Sequence, residues 1–281
     1  AAKDVLGKVI PKKQRGNISG LAASIAGLAT LTFGLLMWFF SQQKEQNTVL
    51  IALVLGAIMW IVAAFFYSRI NEYKGATDGG KNGLLHAFTK LKLLYQDKQF
   101  AHFVVTRAFL LCSALSAPFY IILASRQSFE FSLLATFIAV SGLASLVSAP
   151  IWGRLSDLSS QRVLVLSAML VTLNGLTVFV IATWFNHLLS AWWLLPTLYF
   201  LLSVAHQGVR LGRKTYLVDM AQGNKRTDYV AVSNTVIGVL LLLLGSIGLL
   251  ESFLSTAELI LLYSLLGFCG AISALFLPKI E

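Results

Sequence analysis

Two long apolar segments flank the stretch Gly153-Arg154-Leu155-Ser156-Asp157-Leu158-Ser159-Ser160-Gln161-Arg162, which we call the polar turn. The segment before it is Phe131–Trp152 and the segment after it is Val163–Phe185. Each has the roughly 20 residues that a helix needs to cross the hydrocarbon core of a bilayer. The sequence therefore predicts that the chain crosses a membrane, turns over these residues and crosses it again.

Six more apolar segments of this kind occur along the chain, which gives eight in all. They are Ile18–Phe40, Val49–Tyr67, Phe103–Ala124, Trp192–Ala205, Tyr229–Leu250 and Leu259–Leu277. The shortest, Trp192–Ala205, reaches a spanning length when it is extended through Gly208. With 57% hydrophobic and 12% charged residues, the chain is too apolar for a soluble fold of its size. We predict an all-α polytopic membrane helix bundle with eight transmembrane helices.

Lysine and arginine are concentrated in alternate connections between these segments. Nineteen of the 22 fall in residues 1–16, 68–100, 153–162, 206–227 and 278–281. The intervening connections hold only Lys44 and Arg126. Because cytoplasmic loops retain basic residues while translocated loops lose them, both termini are predicted to be cytoplasmic. We interpret the net charge of +10 as topology signals that contact anionic lipid headgroups, and not as a nucleic-acid surface.

The first two apolar segments differ in character. Ile18–Phe40 is rich in small residues at helical spacing, such as Ala23 and Gly27, which lets a neighbouring helix approach closely. Val49–Tyr67 has one glycine and no charge, and it suits a lipid-exposed position. The chain also repeats weakly, because placing Arg15 on Arg226 puts Gly27 on Gly238. Parallel repeats of this kind are typical of one large class of transporters.

Residues 68–100 differ from the spans around them and are predicted to be a cytoplasmic linker. A glycine-rich polar stretch is followed by an apolar stripe at helical spacing, formed by Leu84, Phe88, Leu91 and Tyr95. This stripe indicates an amphipathic helix at the membrane interface. A disordered loop is the alternative, but it leaves the stripe unexplained.

The polar turn resembles the loop signature of the major facilitator superfamily, Gly-x-Leu-x-Asp-x-x-Gly followed by two basic residues. The matching positions are Gly153, Leu155, Asp157 and Arg162. Ser160 replaces the second glycine and Gln161 replaces one basic residue. An ordinary basic turn is the alternative, and the eight-span topology around the turn argues against it.

The resemblance implies an arrangement of domains. Members of this family have two six-helix halves joined by a long cytoplasmic linker, with the signature after the second span of each half. The chain would then correspond to family helices five to twelve. Residues 1–67 would be the last two helices of an N-terminal half whose first four helices are missing, 68–100 the linker, and 101–281 the C-terminal six-helix bundle.

The function implied by the resemblance is secondary active transport of a small solute across the cell inner (plasma) membrane by alternating access, coupled to protons or another ion. The chain looks like a fragment, so the missing N-terminal helices are its expected partner and the chain alone is not expected to transport. No Walker loop, zinc-protease motif, nucleophile elbow or pair of carboxylates within a span occurs in the sequence. We therefore predict no enzymatic activity, cofactor or metal. A non-transporting membrane scaffold or partner subunit is the alternative.

Four polar residues are candidates for the substrate or proton pathway. Arg107 is the only charge deep in a span, which favours a functional role and an anionic or zwitterionic solute, although it is equally compatible with snorkelling to the headgroups. His206 and Gln207 correspond to the family's cavity-lining tenth helix. His206, with an unperturbed pKa of about 6.5, is a candidate proton carrier or a structural hydrogen-bonding group. Asn234 is a candidate cavity donor or a helix–helix contact.

A second set of candidates is assigned by the resemblance to a gate. It comprises Gly153, Arg154, Asp157, Arg162, Arg210 and Arg213. Asp157 is expected to accept hydrogen bonds near Gly16–Ser19, at the positive end of the first spanning helix, and Arg210, Arg213 or Lys214 is expected to neutralise it. In this family such contacts hold the cytoplasmic side closed. The alternative is a solvated loop carboxylate.

Overall fold

A computed structural model describes residues 2–40, 45–70, 90–126, 131–221, 225–245 and 253–280. The helices are α1 (Ala2–Val9), α2 (Arg15–Phe39), α3 (Glu45–Ser68), α4 (Leu93–Gln96), α5 (Lys98–Phe109), α6 (Cys112–Leu115), α7 (Ala117–Ser125), α8 (Phe131–Trp184), α9 (Leu194–Met220), α10 (Lys225–Gly245) and α11 (Thr256–Leu275). Short 3₁₀ turns cover Lys12–Gln14 and Asn186–Ser190. Within the described ranges every regular element is helical, as the all-α prediction requires.

Five helical stretches of the described chain are long and apolar enough to cross a membrane. They are Lys12–Phe39, Lys98–Ser125, Ser132–Trp184, Arg226–Leu244 and Thr256–Leu275. The third has 53 residues, which is enough for two crossings. The membrane helix bundle is thus confirmed, while the count of eight spans and the orientation of the termini stay predictions.

Helix α8 is broken inside the polar turn. Ser159 has φ −164° and ψ 99°, which is not helical, so we call residues 131–158 the first arm of α8 and residues 160–184 its second arm. Both arms pack against α9, since Trp152 Nε1 donates to Val204 O at 2.9 Å and Asn174 Nδ2 donates to Leu198 O at 3.0 Å. The break therefore turns the chain back on itself where the sequence predicts a turn.

Helix α2 lies against the first arm of α8 with the two backbones in close contact. A Cβ atom added at Gly20 would lie 2.5 Å from Ala149 O, and one added at Gly27 would lie 2.5 Å from Leu146 N. No side chain fits at such distances, so these glycines permit the approach. The contact is also hydrogen-bonded, because Ser24 Oγ donates to Leu146 O at 2.7 Å and Ser145 Oγ donates to Ala23 O at 3.0 Å.

The predicted span Phe103–Ala124 is divided into α5, α6 and α7. Pro118 lies in the first turn of α7, where its missing N–H removes no helical hydrogen bond. The breaks are packed rather than exposed, since Leu110, Leu111 and Ser116 are all buried. Together with the second arm of α8, α9 and α11, these helices enclose the apolar core.

Helix α3 is the least covered part of the described chain. Its described side chains are all exposed, with Trp60 79% and Ile61 70% accessible. The exposed residues are apolar, so the helix suits contact with lipid on every described face, in agreement with the position expected for it.

Residues 71–89 of the linker, which include Leu84 and Phe88 of the predicted stripe, lie outside the described residues. Lys90 Nζ pairs with Asp228 Oδ2 at 2.6 Å. Asp97 Oδ1 caps α5 by accepting from Phe100 N at 3.0 Å, and Asp97 Oδ2 accepts from the hydroxyl of Tyr229. The end of the linker is therefore fastened to the first turn of α10.

Candidate functional site

The carboxylate of Asp157 caps the N-terminus of α2. Its Oδ1 accepts from Gly16 N at 2.6 Å and its Oδ2 from Asn17 N at 2.7 Å. These amides have no partner within the helix, and the helix dipole is positive there. The hydrogen bonds expected at this helix end are therefore present. Gly153 completes the contact, because a Cβ atom at that position would lie 2.5 Å from Gly16 O.

Direct ion pairs do not provide the neutralisation of Asp157 that the resemblance leads us to expect from Arg210, Arg213 or Lys214. All four residues are described, and none of the three basic side chains forms an ion pair with Asp157. The physical reason is that two backbone N–H groups at the positive end of α2 already stabilise the charged carboxylate.

The ion pair at this end of the bundle joins Arg15 to Asp219, at the end of α9. Arg15 Nη1 lies 2.7 Å from Asp219 Oδ1, and both side chains are largely buried. Arg15 also donates to Ile10 O at 3.0 Å and to Gly7 O at 2.8 Å, at the end of α1. Burial raises the pKa of the Asp219 carboxyl above its ordinary value, although the hydrogen bond from Arg15 acts in the opposite direction. We call the end of the bundle that carries Arg15, Asp157 and Asp219 the basic end.

Three further side chains of the polar turn are either exposed to solvent or hydrogen-bonded to another helix. The side chains of Arg154 and Arg162 are exposed. Gln161 Nε2 donates to Ala274 O at 3.2 Å and to Leu275 O at 2.8 Å. Those carbonyls lie in the last turn of α11, where Ala274 O also accepts from Leu277 N at 3.2 Å. Gln161, which departs from the family pattern, therefore joins the polar turn to the last helix.

Arg107 and Asn234 meet at the contact between α5 and α10. Arg107 Nη1 donates to Ser233 Oγ at 2.5 Å, and Arg107 Nη2 donates to Asn234 Oδ1 at 3.1 Å. Arg107 is only 7% exposed, so its guanidinium does not snorkel to a surface. Within the described chain no carboxylate pairs with it, and its buried Nε makes no hydrogen bond. This contact fastens α10 to the bundle through a charge held by neutral groups.

A cavity of about 350 Å³ lies among α2, the α6–α7 junction, the first arm of α8 and α9. Its polar lining consists of Thr30, Ser113, Ser141, Ser145, Tyr199, Ser203, His206, Gln207 and Arg210. His206 and Gln207 line it as predicted candidates, whereas Arg107 and Asn234 do not. Arg210, which the resemblance assigns to the gate, lines the cavity instead. No residue in this lining is acidic.

Ser113 is a hydrogen-bonding partner of His206. Ser113 Oγ donates to Leu110 O at 3.0 Å, and His206 Nδ1 lies 3.0 Å from the same Ser113 Oγ. A hydroxyl has one proton to donate, so when Ser113 donates to Leu110 O it accepts from His206, and Nδ1 carries the proton. The lone pair of His206 Nε2 is then the group of this ring that is able to receive another proton.

Several cations act on one another beside this cavity. His206 lies within electrostatic reach of Arg210 and Arg213, and Arg107 within reach of Arg213. Beyond the apolar part of α9, burial lowers the pKa of Arg213 and Lys214, and Arg210 lowers both further. The positive potential is therefore concentrated on one side of α9.

Comparison with family models gives one match, to the model described as Major Facilitator Superfamily, over residues 2–245. No curated protein and no solved structure matches the chain.

Proposed function

Because the chain belongs to the Major Facilitator Superfamily, a family of membrane transporters, we propose that it forms the solute pathway of a proton-coupled secondary transporter of the cell inner membrane. The observation that carries the proposal is the polar cavity beside His206 in an otherwise apolar helix bundle. Polar groups inside a membrane bundle are costly unless they serve binding or transport.

One wall of the cavity is formed by α2, and the others are formed by the helices that follow the linker, including the first arm of α8 and α9. Ala23 and Gly27 of α2 face Ser113 at the α6–α7 junction and His206 on α9. A cavity between helices that can move relative to one another is suited to alternating access. Movement of α2 relative to α9 would open the cavity to one side of the membrane. We infer that the solute binds between α2 and α9.

His206 is the group that we assign to proton coupling. Its Nδ1 is engaged by Ser113, and its Nε2 lone pair is available to a proton. Arg210 and Arg213 act on the ring from the same helix. A solute whose charge offsets those arginines would favour protonation of His206, which links solute binding to proton binding.

The contacts at the basic end are suited to a gate. Asp157 holds the first turn of α2, and the Arg15–Asp219 pair holds the segment before it to α9. Both contacts would break if α2 moved away from α8 and α9. We infer that they stabilise the state in which the basic end, predicted to be cytoplasmic, is closed.

The test is solute-dependent proton movement. The complete gene product is reconstituted in proteoliposomes that enclose a pH-sensitive dye, and small solutes are added under an imposed proton gradient. We expect at least one solute to accelerate proton entry in a saturable way. A protein that moves no proton with any solute contradicts the proposal and favours a non-transporting scaffold.

Two histidine variants locate the coupling group. His206→Asn keeps a donor toward Ser113 but removes Nε2, so solute-dependent proton entry should be lost. The matched control is His102→Asn, because His102 Nε2 contacts Ser273 Oγ at 3.2 Å and does not line the cavity. Equal loss in both variants would contradict the assignment of His206.

A further inference from the structure

The charge of the cavity lining is unbalanced. Arg210 is its only permanently charged residue, and its side chain is exposed rather than packed in the core. Among the described residues, none accepts a hydrogen bond from the Arg210 guanidinium or forms an ion pair with it. The guanidinium donors of Arg210 are available to a solute in the cavity. The lining therefore lacks a negative partner.

Neighbouring carboxylates do not supply that partner. Asp157 is occupied by the backbone of α2 and Asp219 by Arg15. The nearby ionisable groups are basic instead, because Arg213 and Lys214 both lie within electrostatic reach of Arg210. The potential at the α9 wall of the cavity is positive, and an anion would lower its electrostatic free energy.

Gln207 adds unused hydrogen-bonding capacity at the same place. Its side chain lines the cavity and is 8% exposed, and its buried Oε1 accepts no hydrogen bond from the described chain. A buried carbonyl oxygen that accepts no hydrogen bond is destabilising. A solute that binds beside Arg210 is positioned to satisfy it.

We propose that the cavity binds a small organic anion, whose carboxylate or phosphate oxygens pair with the Arg210 guanidinium while its hydrogen-bonding groups engage Gln207. The anion proposal depends on the proposed function in one respect, which is that the cavity is the solute pathway. Arginine suits the role because its planar fork donates two parallel hydrogen bonds to such oxygens. The bound anion would also offset the arginines around His206, which makes co-transport of a proton with the anion the expected mode.

The test measures binding at equilibrium, without a gradient, so it succeeds or fails independently of proton movement. The complete gene product in detergent is titrated by calorimetry with two matched sets of probes. One set is lactate and its neutral amide, lactamide, and the other is glycerol 3-phosphate and glycerol. We expect an anionic probe to bind and its neutral counterpart not to bind. The set that binds identifies the oxyanion as carboxylate or phosphate.

Variants of Arg210 connect the binding to the cavity. Arg210→Gln should weaken binding of the anion by about tenfold or more, since hydrogen bonds between charged groups are stronger than those between neutral groups. Arg210→Lys retains the charge and should lose less. Lys279→Gln removes an exposed basic residue that does not line the cavity, and it should bind as the parent does.

Three outcomes would overturn the anion assignment and leave proton-coupled transport standing. They are equal binding of an anion and its neutral counterpart, unchanged binding in Arg210→Gln, and no binding by either anion. Failure of solute-dependent proton entry together with Arg210-dependent anion binding would overturn the transport proposal alone. Melting curves without ligand show whether each variant is folded.

Discussion

Helices α2 and α10 are related by the weak repeat that places Gly27 on Gly238, but the surroundings of these two glycines differ. A Cβ atom at Gly27 would lie 2.5 Å from Leu146 N, whereas nothing lies within 4 Å of the same position at Gly238. The pattern of small residues thus permits close packing without producing it. On α2 the complementary surface is the first arm of α8, which presents Gly142. No described helix presents such a surface to Gly238.

The N-termini of the two helices are both held by acidic residues, but by different parts of the chain. Asp157 of the polar turn caps α2 through two backbone amides. On α10 the acidic residue is Asp228, which pairs with Lys90 at the end of the linker. The first arrangement depends on the position of α8, and the second depends on the position of the linker. A movement of α2 is therefore coupled to the polar turn, and a movement of α10 to the linker.

The largest effect is expected from leucine at the two related glycines. Gly27→Leu forces the backbones of α2 and α8 apart and should destabilise the protein by about 3 kcal/mol, the upper part of the range for overpacking. Gly238→Leu meets no described atom and should not destabilise the protein, since removal of a glycine from a helix interior is favourable by about 0.5–1 kcal/mol. Unfolding of the purified protein in mixed micelles measures both. Similar losses in the two variants would show that α10 is packed on this face.

A smaller effect is expected when the acidic residues at the two helix ends are changed. Asp157→Asn keeps the shape but loses the charge and one of two acceptor oxygens, which should cost about 1–2 kcal/mol. Transport by the complete gene product should fall while membrane insertion is retained. Asp228→Asn breaks a partly exposed pair, which is worth about 0–1 kcal/mol. Unchanged uptake kinetics in Asp157→Asn would reduce this residue to a structural cap.

The buried Arg15–Asp219 pair should make the stability of the protein depend on pH. Because burial raises the pKa of Asp219 above its ordinary 3.8, the folded protein binds this proton more tightly than the unfolded chain. The contribution of Asp219 to the free energy of unfolding is fully present when the pH is below the ordinary pKa. It is lost as the pH rises through the raised pKa of the folded protein. Melting temperatures measured upward from about pH 3.8 should therefore fall for the parent relative to Asp219→Asn. A parent that gains stability relative to Asp219→Asn over this range would contradict this sign.

The sequence was sufficient for the bundle, the polar turn and the Asp157 contact, because each depends on local pattern or on the charge of a helix end. It did not indicate that Arg210 lines the cavity, although a signal was present. Arg210 follows His206 by four positions on α9 and so shares its face of the helix. The Arg15–Asp219 pair joins residues 204 positions apart, and nothing in a single sequence indicates such a pair. The role of Gln161 was hidden because it appears in the sequence as a departure from the family pattern.

The smallest effect is expected from the polar side chains that accompany the small residues. Ser24→Ala removes the hydrogen bond to Leu146 O, and such bonds inside membrane bundles average about 0.6 kcal/mol. Thr235 occupies the corresponding position on α10 and is exposed, so Thr235→Ala should have no measurable effect on stability. Ser145→Ala removes the reciprocal bond to Ala23 O and should cost about as much as Ser24→Ala. If both hydrogen bonds stabilise the same helix contact, the double variant will lose more stability than either single variant. Helices α2 and α8 should still stay in contact, because the glycines set the distance between the backbones. A double variant as unstable as Gly27→Leu would mean that the serines, and not the close backbone approach, hold α2 in place, and the contrast between α2 and α10 would then rest on hydrogen bonding.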